Sequence, residues 1–231
     1  MNTRTNPGPV SIKAPINPKR ELLANLARIG TALSSATRIE FLELLAQTER
    51  SVEQLSALTG ASVANTSQHL QKLRQAGLIA GRKEGLYVFY RLAGDEVVAL
   101  LSALGRVGEV YVAEVERIVR LYLAQKDALE PVPAKELLER ARKGLVTVLD
   151  VRPPEEYAAG HLPGALNIPV HELEKRLNEL PKRREVVAYC RGPYCLMSYD
   201  AVSLLRRKGR KARRLQDGLP EWRAAGLPVE A

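Results

Sequence analysis

The apolar residues of this chain follow two different rhythms, and the change between them at residues 126–133 rules out one continuous fold. Over 21–123 the spacing is mostly helical. After Pro133 helical stretches alternate with short apolar strands: AKELLERARKG, LVTVLDV, HELEKRLNEL, EVVAYC, LMSYDAVSLLRRKG, then a short strand around 212–215. Strands separated by helices imply parallel pairing, because a parallel neighbour is reached only by a crossover. The chain therefore reads as two domains: a mainly α domain over 19–125 and an α/β domain over 134–231, whose parallel sheet is covered by helices. The segment 126–133, KDALEPVP, is the linker, and the Pro-rich, polar residues 1–18 read as a disordered tail. A length of 231 residues suffices for two ordinary domains.

In the first domain, ELLANLARIGTAL carries Leu22, Leu26, Ile29 and Leu33 three or four apart, and SATRIEFLELLAQ puts Ile39, Leu42 and Leu45 on one face. Ser34 and Ser35 between them suit an N-cap. SVEQLSALTG is a short helix ended by Gly60, and SVANTSQHLQKLRQAGL a second ended by Gly77. The period then changes: LIAGRKEGLYVFYRL reads as two short strands around the polar turn Arg82-Lys83-Glu84-Gly85. Two short helices joined at a glycine, followed by a basic hairpin, make a winged helix-turn-helix with a two-stranded wing. Its second helix would enter the major groove of an operator in double-stranded DNA. Ser62, Ala64, Asn65, Ser67, Gln68 and His69 lie near its N-terminus, a small uncharged set suited to base edges. Asn65 and Gln68 each match adenine bidentately. Lys72, Arg74, Arg82 and Lys83 suit phosphates. A long helix then carries Val97, Leu101, Leu104, Tyr111, Val115, Ile118 and Tyr122 in a heptad-like seam, with Gly108 in one slot. Such a seam calls for the same helix of a second subunit, a homodimer.

The stretch from LSSATRIEFLELL to GRKEGLYVFYRL resembles the ArsR/SmtB family of winged helix-turn-helix regulators, and the resemblance covers roughly 21–123. It implies a dimeric repressor that leaves DNA when an inducer binds, with His69 near the DNA backbone. Metal-sensing members carry cysteine pairs before the recognition helix, or His and carboxylate ligands on the last helix. SVEQLSALTG has neither Cys nor His, and the last helix offers Glu109, Glu114 and Glu116 without His. No soft ligand set can be assembled there, so no metal site is expected. The inducer has to be read elsewhere.

The second domain supplies a reader. The strand EVVAY delivers Cys190 to the loop Cys190-Arg191-Gly192-Pro193-Tyr194-Cys195, and a helix follows near Leu196. A thiol before a helix N-terminus faces unpaired N–H groups and the positive end of the helix dipole, which favour the nucleophilic thiolate. Arg191 adds positive charge, and Gly192 permits a tight curl.

The pieces Asp150-Val151-Arg152, 155–157, Gly160-His161-Leu162-Pro163-Gly164-Ala165, Cys190-Arg191-Gly192, and Gly218 with Trp222 resemble the rhodanese (sulfurtransferase) family along nearly all of 131–231. The resemblance implies that Cys190 takes the outer sulfur of thiosulfate, a polysulfide or a persulfide, holds it as Cys–S–S⁻, and yields it to a nucleophilic acceptor. Asp150, Arg152 and His161 are expected to support the fold. Two departures stand out. Pro193 and Tyr194 make the loop stiffer and bulkier than the family's Gly-rich segment. Cys195, at its far end, suits a resolving thiol as well as a small apolar helix opener. A phosphatase loop, C-x5-R, would need Arg where Leu196 stands.

A DNA reader without metal ligands, joined to a cysteine loop, points to a cytoplasmic transcriptional repressor that senses small sulfur species or another thiol-reactive inducer through Cys190. It requires no cofactor. The alternatives left open are an active sulfurtransferase with an accessory DNA-binding domain, and an oxyanion receptor using the same loop. The formal net charge of +9 is shared between the halves and does not by itself choose a partner. The run Arg206-Arg207-Lys208-Arg210-Lys211-Arg213-Arg214 suits a helix C-terminus, with a contact to DNA or an anionic substrate as its other reading. No apolar stretch reaches the roughly 20 residues of a membrane span, and the first residues lack the apolar core of a secretory signal.

Overall fold

The computed structural model describes residues 17–124 and 131–231, without the side chains of 122–124. Most of the tail and residues 126–130 of the linker, as well as the side chain of Tyr122, lie outside these residues.

The first domain runs α1 (Pro18–Leu33), α2 (Ala36–Gln47), β1 (Arg50–Ser51), α3 (Val52–Thr59), α4 (Val63–Gln75), β2 (Ile79–Glu84), β3 (Tyr87–Leu92), α5 (Asp95–Tyr111) and α6 (Ala113–Ile118), closing on a π-helical turn at Val119–Ala124. Asn17 caps α1, its side chain accepting from the backbone N–H groups of Lys19 and Arg20. Ser51 and Gln54 form a reciprocal capping box on α3, and Gly60 ends that helix in the left-handed conformation. Ser62 caps α4 by accepting from the N–H of Asn65. Phe41, Leu42, Leu55, Leu70 and Leu73 are fully buried together, so α2, α3 and α4 share one core. Each such side chain contributes about 1.5–3 kcal/mol. The sheet order is β1-β3-β2, all antiparallel, which ties the wing strand β3 to β1 at the foot of α2.

The second domain runs α7 (Ala134–Arg142), β4 (Val146–Asp150), α8 (Pro154–Ala158), β5 (Leu166–Asn167), β6 (Glu185–Tyr189), α9 (Leu196–Arg207), β7 (Ala212–Arg214) and α10 (Leu219–Ala224). The strands pair in parallel in the order β5-β4-β6-β7. Both faces are covered. Val186, Ala188 and Cys190 pack with Ala201, Val202 and Leu205 of α9 on one side, while Val187 and Tyr189 pack with Leu137 and Trp222 on the other. The alternation of side chains along β6 thus assigns Cys190 to the α9 face.

Four expectations need correction. The long helix breaks at Val112, whose backbone is extended. Val115 then lies 3.5 Å from where a Cβ on Gly108 would stand, although seven residues of continuous helix span about 10 Å. Gly108 leaves room for this return, and Val110 and Val112 weaken the helix there. The stretch HELEKRLNEL is not an α-helix. It forms turns and a 3₁₀ segment at Leu177–Glu179, closed largely by i→i+3 bonds such as Glu172 N–H to the Pro169 carbonyl and Leu180 N–H to that of Leu177. Pro169 and Pro181 bound it, and Leu173 and Leu180 must both reach the core. The wing turn is Gly85-Leu86, with Gly85 at φ +58°, so Arg82 and Lys83 lie on β2. Finally, Val132 bridges to Leu215 and exchanges backbone hydrogen bonds with Arg214 and Gln216, so the end of the linker segment joins the sheet edge.

Candidate functional site

Recognition helix α4 exposes Ser62, Ala64, Asn65 and Gln68 near its N-terminus, with Ser67 half-buried. Lys72 and Arg74 are exposed in its last turns, and Lys83 is exposed on β2. Two of the expected DNA residues behave differently. The Arg82 guanidinium bonds Glu49 and Glu84, which pushes its pKa up, and it lies 5.0 Å over the Phe89 ring. His69 turns inward. Its ring meets Phe41 edge-on at 6.0 Å, and its buried Nδ1 has no partner among the described residues. Desolvation, then the positive charges of Arg38 and Lys72, hold its pKa below the ordinary imidazole value.

In the second domain Cys190 stands at the end of β6, buried, and is joined to Cys195 as a disulfide with a Cα–Cα distance of 6.2 Å. Cys195 is the N-cap of α9. The loop between them closes on itself through Cys195 N–H to the Gly192 carbonyl, and Tyr199 Oη donates to the Pro193 carbonyl. The start of α10 presses on it from behind. A Cβ at Gly218 would come within 2.4 Å of the Arg191 carbonyl carbon and the Gly192 nitrogen. That close approach accounts for the glycine.

A buried frame holds the loop's flank. Arg152 donates through Nε and Nη2 to Asp150 and through Nη2 to the Gly160 carbonyl, and Tyr189 Oη donates to Asp150. His161 stacks on Tyr157 at 3.8 Å and exchanges backbone bonds with Glu230. Asp150, Arg152 and His161 are thus tied into the fold. The basic run is likewise engaged locally. Arg206 donates to the Ala212 carbonyl, Arg210 to those of Leu177 and Leu180, Lys208 pairs with Glu174, and Arg214 lies over Tyr199.

Residues of the first domain, unmarked in the sequence reading, meet the loop. The Arg191 guanidinium bonds both oxygens of Glu156, a fully buried carboxylate on α8. Arg50 of β1 reaches the same carboxylate at 2.6 Å. Gln47, the last residue of α2, donates through Nε2 to the Arg191 carbonyl at 3.1 Å and accepts from Arg152. Tyr194 Oη donates to Glu109 on α5, seated against Gly105, where any Cβ would collide with it. A cavity of about 330 Å³ beside Cys195 is walled by Glu43, Gln47 and Ser102 from one domain and by Tyr194, Cys195 and Glu221 from the other. Desolvation pushes the Glu221 carboxyl up. Desolvation, then the carboxylates of Glu221 and Glu40, do the same to Glu43. Glu156 sits within the motif at 155–157, but Gln47 and Arg50 carried no local signal, because their pairing exists only once the two domains meet.

Among the described residues no His, Cys, Asp and Glu cluster could hold a metal ion, and no helix is long and apolar enough to cross a membrane.

Comparison with known proteins agrees with this architecture. Residues 35–80 match the bacterial regulatory protein, arsR family, and residues 133–225 match the rhodanese-like domain. The HTH-type transcriptional regulator Rv0324 of Mycobacterium tuberculosis is 45% identical over 92% of this chain and 93% of its own length. A sulfurtransferase of Allochromatium vinosum is 39% identical over 37% of this chain and 79% of its own. Among solved structures, the homodimeric winged helix-turn-helix DNA-binding domain Mb0332 (fragment 1-100) of Mycobacterium bovis is 35% identical, covering 45% of this chain and 95% of that one, with a TM-score of 0.40. A relative this similar over nearly its whole length, with both domains matched in order, places the chain in the arsR family: it is an ArsR-type DNA-binding transcriptional regulator carrying a C-terminal rhodanese domain.

Proposed function

We propose that this regulator is a repressor, acting in the cytoplasm as a homodimer, that releases its operator when sulfane sulfur or another thiol oxidant reacts at Cys190. The observation that carries the reading is the pairing of Cys190 with Cys195 inside a loop walled by the DNA-binding domain. In the reduced protein the Cys190 thiolate attacks the outer sulfur of a persulfide R–S–SH, giving Cys190–S–SH and releasing RS⁻. The Cys195 thiolate then attacks Cys190 Sγ. A Cys190–Cys195 disulfide forms, and the sulfane sulfur leaves as HS⁻, having taken the two electrons the thiols lose. Arg191, Gly192 and Tyr194 shape the loop for this exchange. Ser62, Ala64, Asn65, Ser67 and Gln68 read the bases, and Lys72, Arg74 and Lys83 meet phosphates.

The homodimer rests on exposed apolar side chains: Leu22, Leu23 and Leu26 of α1, and Leu104, Val107, Val110 and Ile118 of α5 and α6. A monomer in water leaves such a surface uncovered at a cost.

One sample tests the reading. The reduced protein is treated with polysulfide, and its intact mass and its retention of an operator selected from a random duplex pool are read together. The expected result is loss of two hydrogens with release of the operator. Bridging with full retention contradicts it. The second reading, a working sulfurtransferase, is favoured by the likeness to the Allochromatium vinosum protein of that name. Sustained Cys190-dependent turnover of thiosulfate and cyanide, with operator binding unchanged, would establish it instead.

A further inference from the structure

The loop that holds Cys190 is not completed by its own domain. Its Arg191 carbonyl accepts from Gln47 Nε2, at the last residue of α2. Its Arg191 guanidinium shares the buried Glu156 carboxylate with Arg50, on β1. Arg50 is itself 4% exposed, and its Nε has no partner among the described residues. A guanidinium buried at the foot of the wing, with its ion pair in the other domain, is not explained by the fold of the first domain. Burying such a charge is costly unless the partner is in place.

Gln47 and Arg50 flank the joint from which the DNA-reading parts depart. Arg50 pairs with Tyr90, and Ser51 with Phe89, on wing strand β3. Ser51 is also the N-cap of α3, the helix before the recognition helix. Any shift of the Cys190 loop moves the carbonyl Gln47 holds and the guanidinium that shares Glu156, and both strain the same joint.

We infer that Gln47 and Arg50 are positioning residues of the Cys190 loop, so that the sulfur-reactive site is a composite of both domains and its chemistry is linked to DNA binding through these two side chains. This rests on the sulfur-sensing reading above. Linkage is reciprocal: if the state of the loop changes operator affinity, bound operator must change the equilibrium of the loop by the same factor.

The test uses the full-length protein in a glutathione redox buffer, with the selected operator duplex as probe. The bridged fraction is read by mass after acid quench and alkylation, with and without operator. In the wild type, operator is expected to shift the reduced-to-bridged ratio toward the reduced form about five- to tenfold. In Gln47→Ala and Arg50→Gln the shift falls to less than about twofold, and Arg50→Lys, which keeps a cation for Glu156, restores part of it. Arg50→Met, which keeps an apolar stem without the cation, is expected not to restore it, which sets charge apart from packing. Should Gln47→Ala and Arg50→Gln keep the full wild-type shift, the inference is overturned and the sensing reading stands. If operator leaves the wild-type ratio unchanged, both fall. Gln47→Ala removes one neutral side chain and keeps every charge, so it serves if Arg50→Gln does not fold.

Discussion

Arg50 and Glu156 form an ion pair across the boundary between the two domains, Nη2 to Oε1 2.6 Å, with both side chains withdrawn from solvent. Arg191 completes the arrangement, sharing Oε1 with Arg50 and also bonding Oε2. One buried anion therefore compensates two guanidinium groups. Glu156→Ala leaves both uncompensated and should lower stability by about 3 kcal/mol. Glu156→Gln, which retains an acceptor, should cost less. Urea unfolding followed by circular dichroism checks both, and equal stability of wild type and Glu156→Ala would refute the assignment.

Gly218 predicts a different failure. An alanine there places Cβ 2.4 Å from backbone atoms of Arg191 and Gly192. Backbone cannot swing aside as a side chain can, so the loop itself must move. Overpacking of this kind costs about 1–3 kcal/mol. Gly218→Ala is expected to lower the Tm and to change the alkylation rate of reduced Cys190. Gly209→Ala meets no neighbour within 4 Å but sits at φ +73°, so it should cost stability without altering that rate.

The helix-turn-helix, the wing and the Cys190 loop were legible in sequence because each is local. Gly60, Gly77 and Gly85 all adopt positive φ where the turns were expected. The parallel pairing, though not the strand order, followed from alternation alone. What was not legible depends on distant partners. The seam spacing runs on through the break at Val112; Gly108, Val110 and Val112 weaken the helix there, but the return of Val115 onto Gly108 is a packing choice rather than a periodicity. His69 looked like a polar residue on an exposed face, yet Phe41 draws its ring inward. Arg82 looked free until Glu49, 33 residues away, closed on it.

That pairing sorts the proposed DNA contacts. Asn65→Ala and Gln68→Ala should each weaken operator binding by about 1–3 kcal/mol and relax specificity at one position. Lys72→Ala should reduce the slope of log affinity against log salt by about one. Arg82→Ala should change that slope less, because its charge is already met by Glu49 and Glu84. Anisotropy titrations at several salt concentrations separate these outcomes.

His69 gives a pH signature. Its folded pKa is lowered, chiefly by desolvation, so the unfolded chain takes up the proton first, at about pH 6.5. Its contribution to stability is complete above that value and declines as pH falls toward the folded pKa. Thermal unfolding from pH 8 to pH 5 should show a loss that His69→Gln lacks. Parallel curves for the two proteins would count against an inward, neutral imidazole.

The apolar surface predicts an assembly. Leu104→Glu or Ile118→Glu should convert the proposed dimer to a monomer in light scattering, with weaker operator binding, while the same change at exposed Leu86 on the wing turn leaves the mass unchanged.

The central claim is that the state of the Cys190–Cys195 pair sets operator affinity, and the direct measurement is the Kd of one operator duplex for the dithiothreitol-reduced and the bridged protein at fixed salt. Bridging is expected to weaken binding about five- to tenfold, a coupling of about 1–1.4 kcal/mol, and Cys190→Ser to bind equally under both treatments. The same Kd for reduced and bridged wild type would contradict it.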